Sequence, residues 1–267
     1  MPLAPLPDVT LNYRLDGPAD GPVVMLCNSL SSNLSMWDPQ VPALADAGFR
    51  VLRYDTRGHG ASGLASAPTS IAALAGDALA LLDHLGVDRV HFCGLSLGGM
   101  TGQWLGTHHA ERLCSLALCA TAAYMGPPEL WNQRIEAVAQ GGMSAIAEAT
   151  INRWFTAASQ QRLADAVARI RDGILHTPVA GYQACCAAIR DMDQRESIAA
   201  IRVPTLVLVG ADDPSTPVAA AELIHQRIAG SRLTVIPASQ HLFNIEEPAQ
   251  FNAALLGFLR GVAATTR

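Results

Sequence analysis

Short runs of apolar residues recur along the chain, and most of them are continuous rather than alternating with polar residues. Such runs are typical of strands covered on both faces, as in the parallel sheet of an α/β domain. An earlier segment, residues 9–17 (VTLNYRLDG), alternates more regularly and runs into Asp-Gly-Pro, which favours an antiparallel strand at the edge of the sheet. The six continuous runs are residues 22–29, 49–55, 89–96, 113–121, 203–210 and 232–239.

Segments with apolar residues at helical spacing separate these runs. Residues 70–86 (SIAALAGDALALLDHLG) begin at Ser70, which is a suitable N-cap, and end at Gly86. Residues 219–230 (AAAELIHQRIAG) follow the same pattern. Strands and helices that alternate in this way predict an α/β fold: a mostly parallel central sheet flanked by helices, with right-handed crossovers.

The alternation of strand-like and helix-like segments stops between residues 122 and 200, where strand-like runs are absent and helix-like segments follow one another. The sheet pattern returns at Val203. We therefore expect residues 1–121 and 201–267 to form the α/β core. Residues 122–200 are expected to form an all-helical lid over the C-terminal edge of the sheet, where ligands bind in open α/β folds.

Composition narrows the classes of function. The chain has 267 residues, of which half are hydrophobic and 15% charged, enough for a large buried core. Its 18 basic and 23 acidic side chains give a net charge of −5, and no Lys/Arg-rich run is present, which argues against a nucleic-acid or anionic-membrane surface. The N-terminal residues lack the features of a secretory signal, and no apolar stretch approaches a membrane span of about 18–20 residues. These observations favour a cytoplasmic protein, and they leave its oligomeric state open.

From the cysteines and from the spacing of possible metal ligands we expect neither disulfides nor a metal site. No cysteine pair has C-x-x-C spacing, and four of the six lie in strand-like runs, so we expect small buried hydrophobic residues in a reducing compartment rather than disulfides. No cluster of side chains has the spacing of metal ligands, and neither a metal nor an organic cofactor is expected. The cysteines are Cys27, Cys93, Cys114, Cys119, Cys185 and Cys186.

One serine stands between two glycines in the segment HFCGLSLGGM, residues 91–100. Gly94-Leu95-Ser96-Leu97-Gly98 matches G-x-S-x-G, a pattern that chance alone gives in roughly one chain in ten of this length. The setting is more informative, because the match follows a strand-like run and precedes a helix-like one, as a nucleophilic serine on a sharp turn requires. The alternative is a glycine-rich turn that only allows close packing of helix on strand.

A reactive serine needs a base, and the base needs an acid that orients it. In a strand–serine–helix arrangement of this kind the acid and then the histidine follow the serine along the chain. Asp212 and Asp213 follow the strand-like run 203–210, and Asp213 is the preferred acid, although either aspartate could instead cap the next helix. His241 follows the run 232–239 and is the predicted base. The remaining histidines lie in helical, strand or earlier loop segments and are expected to be structural.

These pieces resemble the α/β-hydrolases, and more narrowly the 3-oxoadipate enol-lactone hydrolases of aromatic-acid catabolism. The resemblance runs almost end to end. It is carried by LNYRLDGP, NSL, MWDPQ, FRVLRYDTRGHGAS, HFCGLSLGGMTGQWLG, CCAAIRDMD, VPTLVLVGADDPSTP and HLFNIEEP. The serine turn and RYDTRGHGAS are common to many α/β-hydrolases, whereas NSL and the piece from the lid are narrower.

The resemblance implies a role for each matching residue. Ser96 becomes the nucleophile, His241 the base, and Asp213 the acid, because Gly210 to Pro217 match the family's G-x-x-D-x-x-x-P pattern. It also implies that the backbone N–H groups of Leu30 and Leu97 form the oxyanion hole. Two positions depart from the family. Leu97 stands where Met is common, which is harmless because only the N–H is used, and Ser31 stands where Gly is common, which weakens the assignment of Leu30.

The implied reaction is hydrolysis of an enol-lactone through an acyl-enzyme. Since that substrate is a small anionic lactone, the lid should supply a cation, and Arg134, Arg153 and Arg190 are candidates beside Trp131 and Trp154 as walls of the pocket. Arginines at such positions are more often solvated charges on a helix face, and tryptophans in a lid more often simply pack. The same fold and triad also suit a carboxylesterase or a carbon–carbon bond hydrolase, or, without turnover, a binding protein.

Overall fold

Eight strands form one sheet in the order β1-β2-β4-β3-β5-β6-β7-β8 in the computed structural model, which describes residues 2–265. Residues 1 and 266–267 of the predicted core lie outside the described residues. The pairs β1–β2 and β2–β4 are antiparallel and all the others are parallel, which confirms the predicted fold class. The strands are Leu3–Pro5, Thr10–Asp16, Val23–Cys27, Arg50–Tyr54, Val90–Leu95, Leu113–Cys119, Thr205–Gly210 and Arg232–Ile236.

The central strands are buried on both faces, which explains why their sequences do not alternate. In β3, Val24 and Leu26 belong to one hydrophobic cluster, while Met25 and Cys27 belong to a second cluster on the opposite face. Each large side chain buried in this way contributes roughly 1.5–3 kcal/mol. The strands that carry the candidate site are therefore held rigidly by two apolar layers.

The predicted edge strand is not at the edge. Residues 10–16 form β2, antiparallel to β4 as expected, but β1 pairs with the outer side of β2, Ala4 facing Leu11. The prediction was wrong because β1 has only three residues, the last of them a proline, which is too short for an alternating pattern to show. At the opposite edge β8 is only partly covered, unlike the other predicted buried strands.

The core helices cover both faces of the sheet. Helix α2, predicted over 70–86, spans Ile71–His84, and the side chain of Ser70 accepts a hydrogen bond from the N–H of Ala73 at 3.1 Å. The other core helices are α1 (Val41–Asp46), α3 (Leu97–His108), α9 (Val218–Arg227), α10 (Phe243–Glu246) and α11 (Pro248–Thr265). Short 3-10 helices span Leu34–Trp37, Ala110–Arg112 and Ser197–Ala200.

Five helices lie between β6 and β7, within residues 122–200, which we call the helical insertion. Gly142, with φ of +65°, separates α4 from α5 inside a segment that looks continuous in sequence. Buried Trp131, Ile170 and Tyr182 of the insertion belong to the same hydrophobic cluster as Val24 of the sheet, so the insertion packs onto one side of the core. Its helices are α4 (Pro128–Gly141), α5 (Ser144–Trp154), α6 (Ala157–Arg162), α7 (Ala164–Leu175) and α8 (Val179–Arg190).

All six cysteines are free thiols, and five of them are buried. Cys93 and Cys119, on neighbouring strands, place their sulfur atoms 3.8 Å apart. Within residues 2–265, every helix is too short or too polar to cross a bilayer.

Candidate active site

Loops from four parallel strands meet at the C-terminal edge of the sheet. Residues 28–30 follow β3, Ser96 follows β5, Asp213 lies three residues beyond β7, and His241 lies in the loop after β8. Parallel strands that share one direction deliver these loops to one edge, which is where open α/β sheets bind ligands. The structure thus brings together residues that are up to about two hundred positions apart in the chain.

Ser96 sits on a sharp turn between β5 and α3 with φ of 56° and ψ of −110°. A non-glycine residue in such a conformation costs of the order of 1–3 kcal/mol and persists only where its surroundings impose it. The surroundings here are tight. A Cβ on Gly94 would lie 2.1 Å from the carbonyl oxygen of Gly98, and one on Gly98 would lie 2.2 Å from that of Cys27. Both glycines of the motif are therefore required by close backbone approach.

Two backbone N–H groups near the serine have no hydrogen-bond acceptor among the described residues. Leu97 is the first residue of α3 and Leu30 lies in the loop after β3, and among the described residues neither N–H donates a hydrogen bond. Helix α3 also directs the positive end of its dipole at this point. Ser31, where the resemblance led us to expect glycine, has φ of 59°, so a glycine would adopt this backbone without strain.

Asp213 and His241 are joined by a short hydrogen bond. Nδ1 of His241 donates to Oδ2 of Asp213 at 2.8 Å, and the hydroxyl of Thr216 donates to the same oxygen at 2.7 Å. The other carboxylate oxygen, Oδ1, accepts from the N–H groups of Ser215 at 2.7 Å and Thr216 at 3.1 Å. Four hydrogen bonds fix the carboxylate, and its bond to Nδ1 leaves Nε2 of the imidazole as the proton acceptor.

The environment of Asp213 keeps its carboxylate ionised. Burial raises the pKa, but the charge of His241 and the hydrogen bonds from His241 and Thr216 outweigh burial, so the pKa lies below its ordinary value of 3.8. Asp213 does not cap helix α9, whose N-cap is Pro217 without a side-chain bond. The alternative acid, Asp212, is exposed.

A cavity of about 440 Å³ lies between this edge of the sheet and the helical insertion. Ser96, His241 and Leu30 line it from the core, and Trp131 and Trp154 line it from the insertion. The volume is in the range of sites that bind small molecules. The cavity beside Ser96 and His241 is thus one that the core and the insertion share.

Both tryptophans have defined partners. The indole N–H of Trp131 donates to the carbonyl of Met125 at 2.7 Å, and the guanidinium of Arg134 lies over its ring, 4.8 Å from the centroid. The ring of Trp154 stacks on the imidazole of His241, with centroids 6.0 Å apart and planes 28° from parallel. Trp154 therefore forms a wall behind the candidate base.

Arg134 and Arg153 line the cavity together. Neither guanidinium forms an ion pair with any described residue, and Arg153 donates only to the hydroxyl of Thr150 at 3.3 Å. Burial first, and then the charge of Arg134, lowers the pKa of Arg153. Two half-buried cations without counter-charge favour an anionic ligand. The third candidate, Arg190, is not in the cavity lining and instead pairs with Asp191 at 2.7 Å.

Sequence reasoning missed two polar side chains at this edge. Thr216 contacts both Asp213 and His241, with its oxygen 3.4 Å from Nδ1 of the imidazole, and a hydroxyl three residues after an aspartate was its only signal. Glu246 is fully buried behind His241, but the pair Glu246–Glu247 gives no indication in sequence of which carboxylate points inward. Across residues 2–265, no three His, Cys, Asp or Glu side chains come together as metal ligands.

Comparison with known proteins agrees with this fold. A family model described as the alpha/beta hydrolase fold matches residues 22–248. The 3-oxoadipate enol-lactonase 2 of Acinetobacter baylyi is 40% identical over 93% of this chain and 92% of its own length. The crystal structure of an enol-lactonase from Burkholderia xenovorans superposes with a TM-score of 0.94 at 43% identity, covering 97% of this chain and all of that one. A hydrolase from Pseudomonas aeruginosa superposes with a TM-score of 0.90 at 46% identity, covering 94% of both chains.

Proposed function

Because this chain belongs to the alpha/beta-hydrolase fold family, we propose that it hydrolyses 3-oxoadipate enol-lactone to 3-oxoadipate, with Ser96 as nucleophile. The family and its enol-lactonase relatives make the chain a hydrolase of ester or lactone bonds. The particular lactone, its place in aromatic-compound catabolism and the roles of individual residues are the proposal.

In the first step His241 removes the proton of the Ser96 hydroxyl through Nε2 as Oγ attacks the ring carbonyl. Asp213 holds the imidazole in the tautomer that leaves Nε2 free and stabilises the imidazolium that forms. The bond from the ring oxygen to the carbonyl carbon then breaks. The leaving group is an enolate that takes the proton from His241 and becomes a ketone, which favours ring opening.

The tetrahedral intermediates carry a negative charge on the former carbonyl oxygen. The N–H groups of Leu30 and Leu97 are the donors for this oxyanion, supported by the N-terminus of α3. Losing one such donor typically costs roughly 3–4 kcal/mol of transition-state stabilisation. In the second half of the reaction His241 removes a proton from water, and the resulting attack on the acyl-enzyme releases 3-oxoadipate and restores Ser96.

The substrate carboxylate is bound by Arg134 and Arg153, and Trp131 and Trp154 form part of the cavity wall around the lactone ring. Both arginines belong to the helical insertion, which acts as the lid of the site and leaves the core residues 1–121 and 201–267 to supply the triad. An anion between the two guanidinium groups would offset their burial and mutual repulsion.

One observation carries the proposal: the Asp213–His241 pair opens onto the same cavity as a serine on a strained turn and two unpaired arginines. The decisive experiment is turnover of the enol-lactone by purified protein and by Ser96→Ala, with labelling by a fluorophosphonate probe as a second readout. We expect lactone turnover and labelling in the wild-type protein, and neither in the variant.

Two other substrates distinguish this proposal from its alternatives. A p-nitrophenyl ester tests a general carboxylesterase, and a ring-cleavage dienoate tests a carbon–carbon bond hydrolase. Faster Ser96-dependent turnover of either one than of the lactone would replace the proposed substrate. Labelling that persists in Ser96→Ala, or a folded wild-type protein that is never labelled, would overturn the mechanism itself.

A further inference from the structure

Glu246 carries a carboxylate that is completely buried and lies outside the triad. It is the last residue of α10, and its relative exposure is 0%. Among the described residues no cation lies within ion-pair distance of this carboxylate. A buried carboxylate is costly unless hydrogen bonds compensate it, so its partners should reveal what it is for.

Both oxygens of Glu246 accept from backbone N–H groups, and the two donors belong to different parts of the fold. Oε2 accepts from the N–H of Gln240 at 2.5 Å, immediately before His241. Oε1 accepts from the N–H of Thr156 at 2.8 Å, in the junction between α5 and α6 of the helical insertion. One side chain therefore closes the loop around the base and ties that loop to the insertion.

Two further hydrogen bonds connect the loop after His241 to the helical insertion. The N–H of Leu242 donates to the carbonyl of Trp154 at 3.1 Å, and the Trp154 ring stacks on His241. The guanidinium of Arg162 in α6 donates to the carbonyl oxygen of Glu246 at 2.9 Å. The residues before and after His241 and the ring behind it are thus held against one segment of the insertion, residues 154–156.

We propose that Glu246 is a positioning residue for His241: its carboxylate fixes the histidine loop and the α5–α6 junction as one unit, so that the imidazole is held against Trp154 and toward Ser96. This inference rests on the proposed Ser96–His241–Asp213 triad. The hydrogen bonds need a carboxylate. A glutamine would accept from only one N–H group and would turn its own NH₂ toward the other.

The first pair of variants removes the carboxylate of Glu246 or, as a control, that of Glu247. Glu246→Gln should lower kcat for the enol-lactone by between about tenfold and 100-fold with little change in KM, because a base displaced by about 1 Å loses that much. Glu247→Gln is the matched control, since Glu247 lies one residue later and pairs with Arg162 at the surface. We expect its kcat to stay within twofold of the wild type.

A second pair tests the same bond from the other side without touching Glu246. Thr156 has φ of −60° and the preceding residue is extended, so proline fits the backbone there. Thr156→Pro removes the N–H that donates to Glu246, whereas Thr156→Ala keeps it. Both variants lose the hydroxyl that caps α6 through the N–H of Ser159, so their difference isolates the N–H. Thr156→Pro should have at least about tenfold lower kcat than Thr156→Ala.

Two readouts separate positioning from mere stability. The rate of fluorophosphonate labelling needs His241 but no lactone, and it should fall in parallel with kcat in Glu246→Gln and Thr156→Pro. The low-field proton resonance of His241 Nδ1–H should broaden or shift in the same variants. If kcat, labelling rate and resonance match the controls while only Tm falls, the inference is overturned. A wild-type protein that is labelled but does not open the lactone refutes the proposed substrate and leaves this test intact.

Discussion

Asp213 holds the imidazole of His241 through a hydrogen bond of 2.8 Å from Nδ1 to Oδ2. The same carboxylate oxygen also accepts from the hydroxyl of Thr216 at 2.7 Å. With both bonds in place the carboxylate cannot rotate away from the imidazole, and the imidazole cannot flip without losing its acceptor. The orientation of the proposed base is therefore set before any substrate arrives.

Replacing this acid should reverse the tautomer of the base. In Asp213→Asn the side-chain NH₂ can face Nδ1, which then accepts, so that the proton moves to Nε2 and the base cannot take the proton of Ser96. We expect kcat for the enol-lactone to fall by about 10⁴ at neutral pH. Asp212→Asn is the control, because this exposed neighbour lies outside the pair. Equal losses in both variants, measured by steady-state kinetics, would contradict the assignment of the acid.

The two cavity arginines should act on the charge of the substrate. Arg134→Gln and Arg153→Gln are each expected to raise KM for the anionic lactone by about 10-fold to 100-fold, since a hydrogen bond to a charged group contributes roughly 1.5–3 kcal/mol. Neither change should raise KM for a neutral p-nitrophenyl ester. Arg190→Gln serves as control because Arg190 lies outside the cavity and is paired with Asp191. A rise of equal size for both substrates would show that these side chains only maintain the packing of the insertion.

His59 should make the folded protein sensitive to mild acid. It is completely buried, and burial lowers its pKa below the ordinary value of 6.5, although a hydrogen bond with the carbonyl of Arg57 partly opposes the shift. The unfolded chain therefore binds a proton more readily, so stability is fully present above pH 6.5 and is lost as the pH falls below it.

Urea unfolding between pH 7.5 and 5.5 measures this effect, with a slope of at most about 1.4 kcal/mol per pH unit from one such group. His59→Asn should flatten the dependence, and His176→Asn, at an exposed position, should not. His91 shares the direction of shift through burial, so part of the slope persists. An unchanged slope in His59→Asn would contradict the prediction.

The glycines of the serine turn should be far less tolerant than a glycine in an open helix. Gly98→Ala forces a Cβ to within 2.2 Å of the Cys27 carbonyl oxygen, and we expect the free energy of unfolding to fall by at least about 1–3 kcal/mol, with activity lost as the turn moves. A Cβ on Gly76 in α2 would instead meet open space, so Gly76→Ala should stabilise the protein by about 0.5–1 kcal/mol. Urea unfolding of the two variants gives the comparison directly.

The fold was predictable because its main signal is local. Six continuous apolar runs became six strands, and five of these are buried on both faces, which leaves no polar face to show in the sequence. The three-residue strand β1 was missed because it is too short to show a period. The break between α4 and α5 also leaves no trace in the apolar pattern, because a single residue with positive φ, Gly142, ends the helix.

The candidate site divides in the same way. Ser96, Asp213 and His241 could be predicted as candidates because each follows a strand and therefore reaches one edge of the sheet. Which arginine faces the cavity depends on how the helices of the insertion pack, and that arrangement places Arg153 inside and Arg190 outside. Thr216 and Glu246 were not predicted because their contacts have no fixed spacing in sequence. Thr216 bonds to Asp213 in its own loop, and Glu246 accepts from both Gln240 and the distant Thr156.

The strained backbone at residue 96 lowers the stability of the fold, but the proposed reaction needs the side chain at that position. Glycine adopts a φ of 56° without strain, so Ser96→Gly should have a higher free energy of unfolding than the wild-type protein. On the proposed mechanism the same variant is inactive. Selection for stability alone would therefore replace this serine by glycine. On the proposed mechanism only a need for the reaction opposes that loss, and an idle copy of the gene would be expected to change here first.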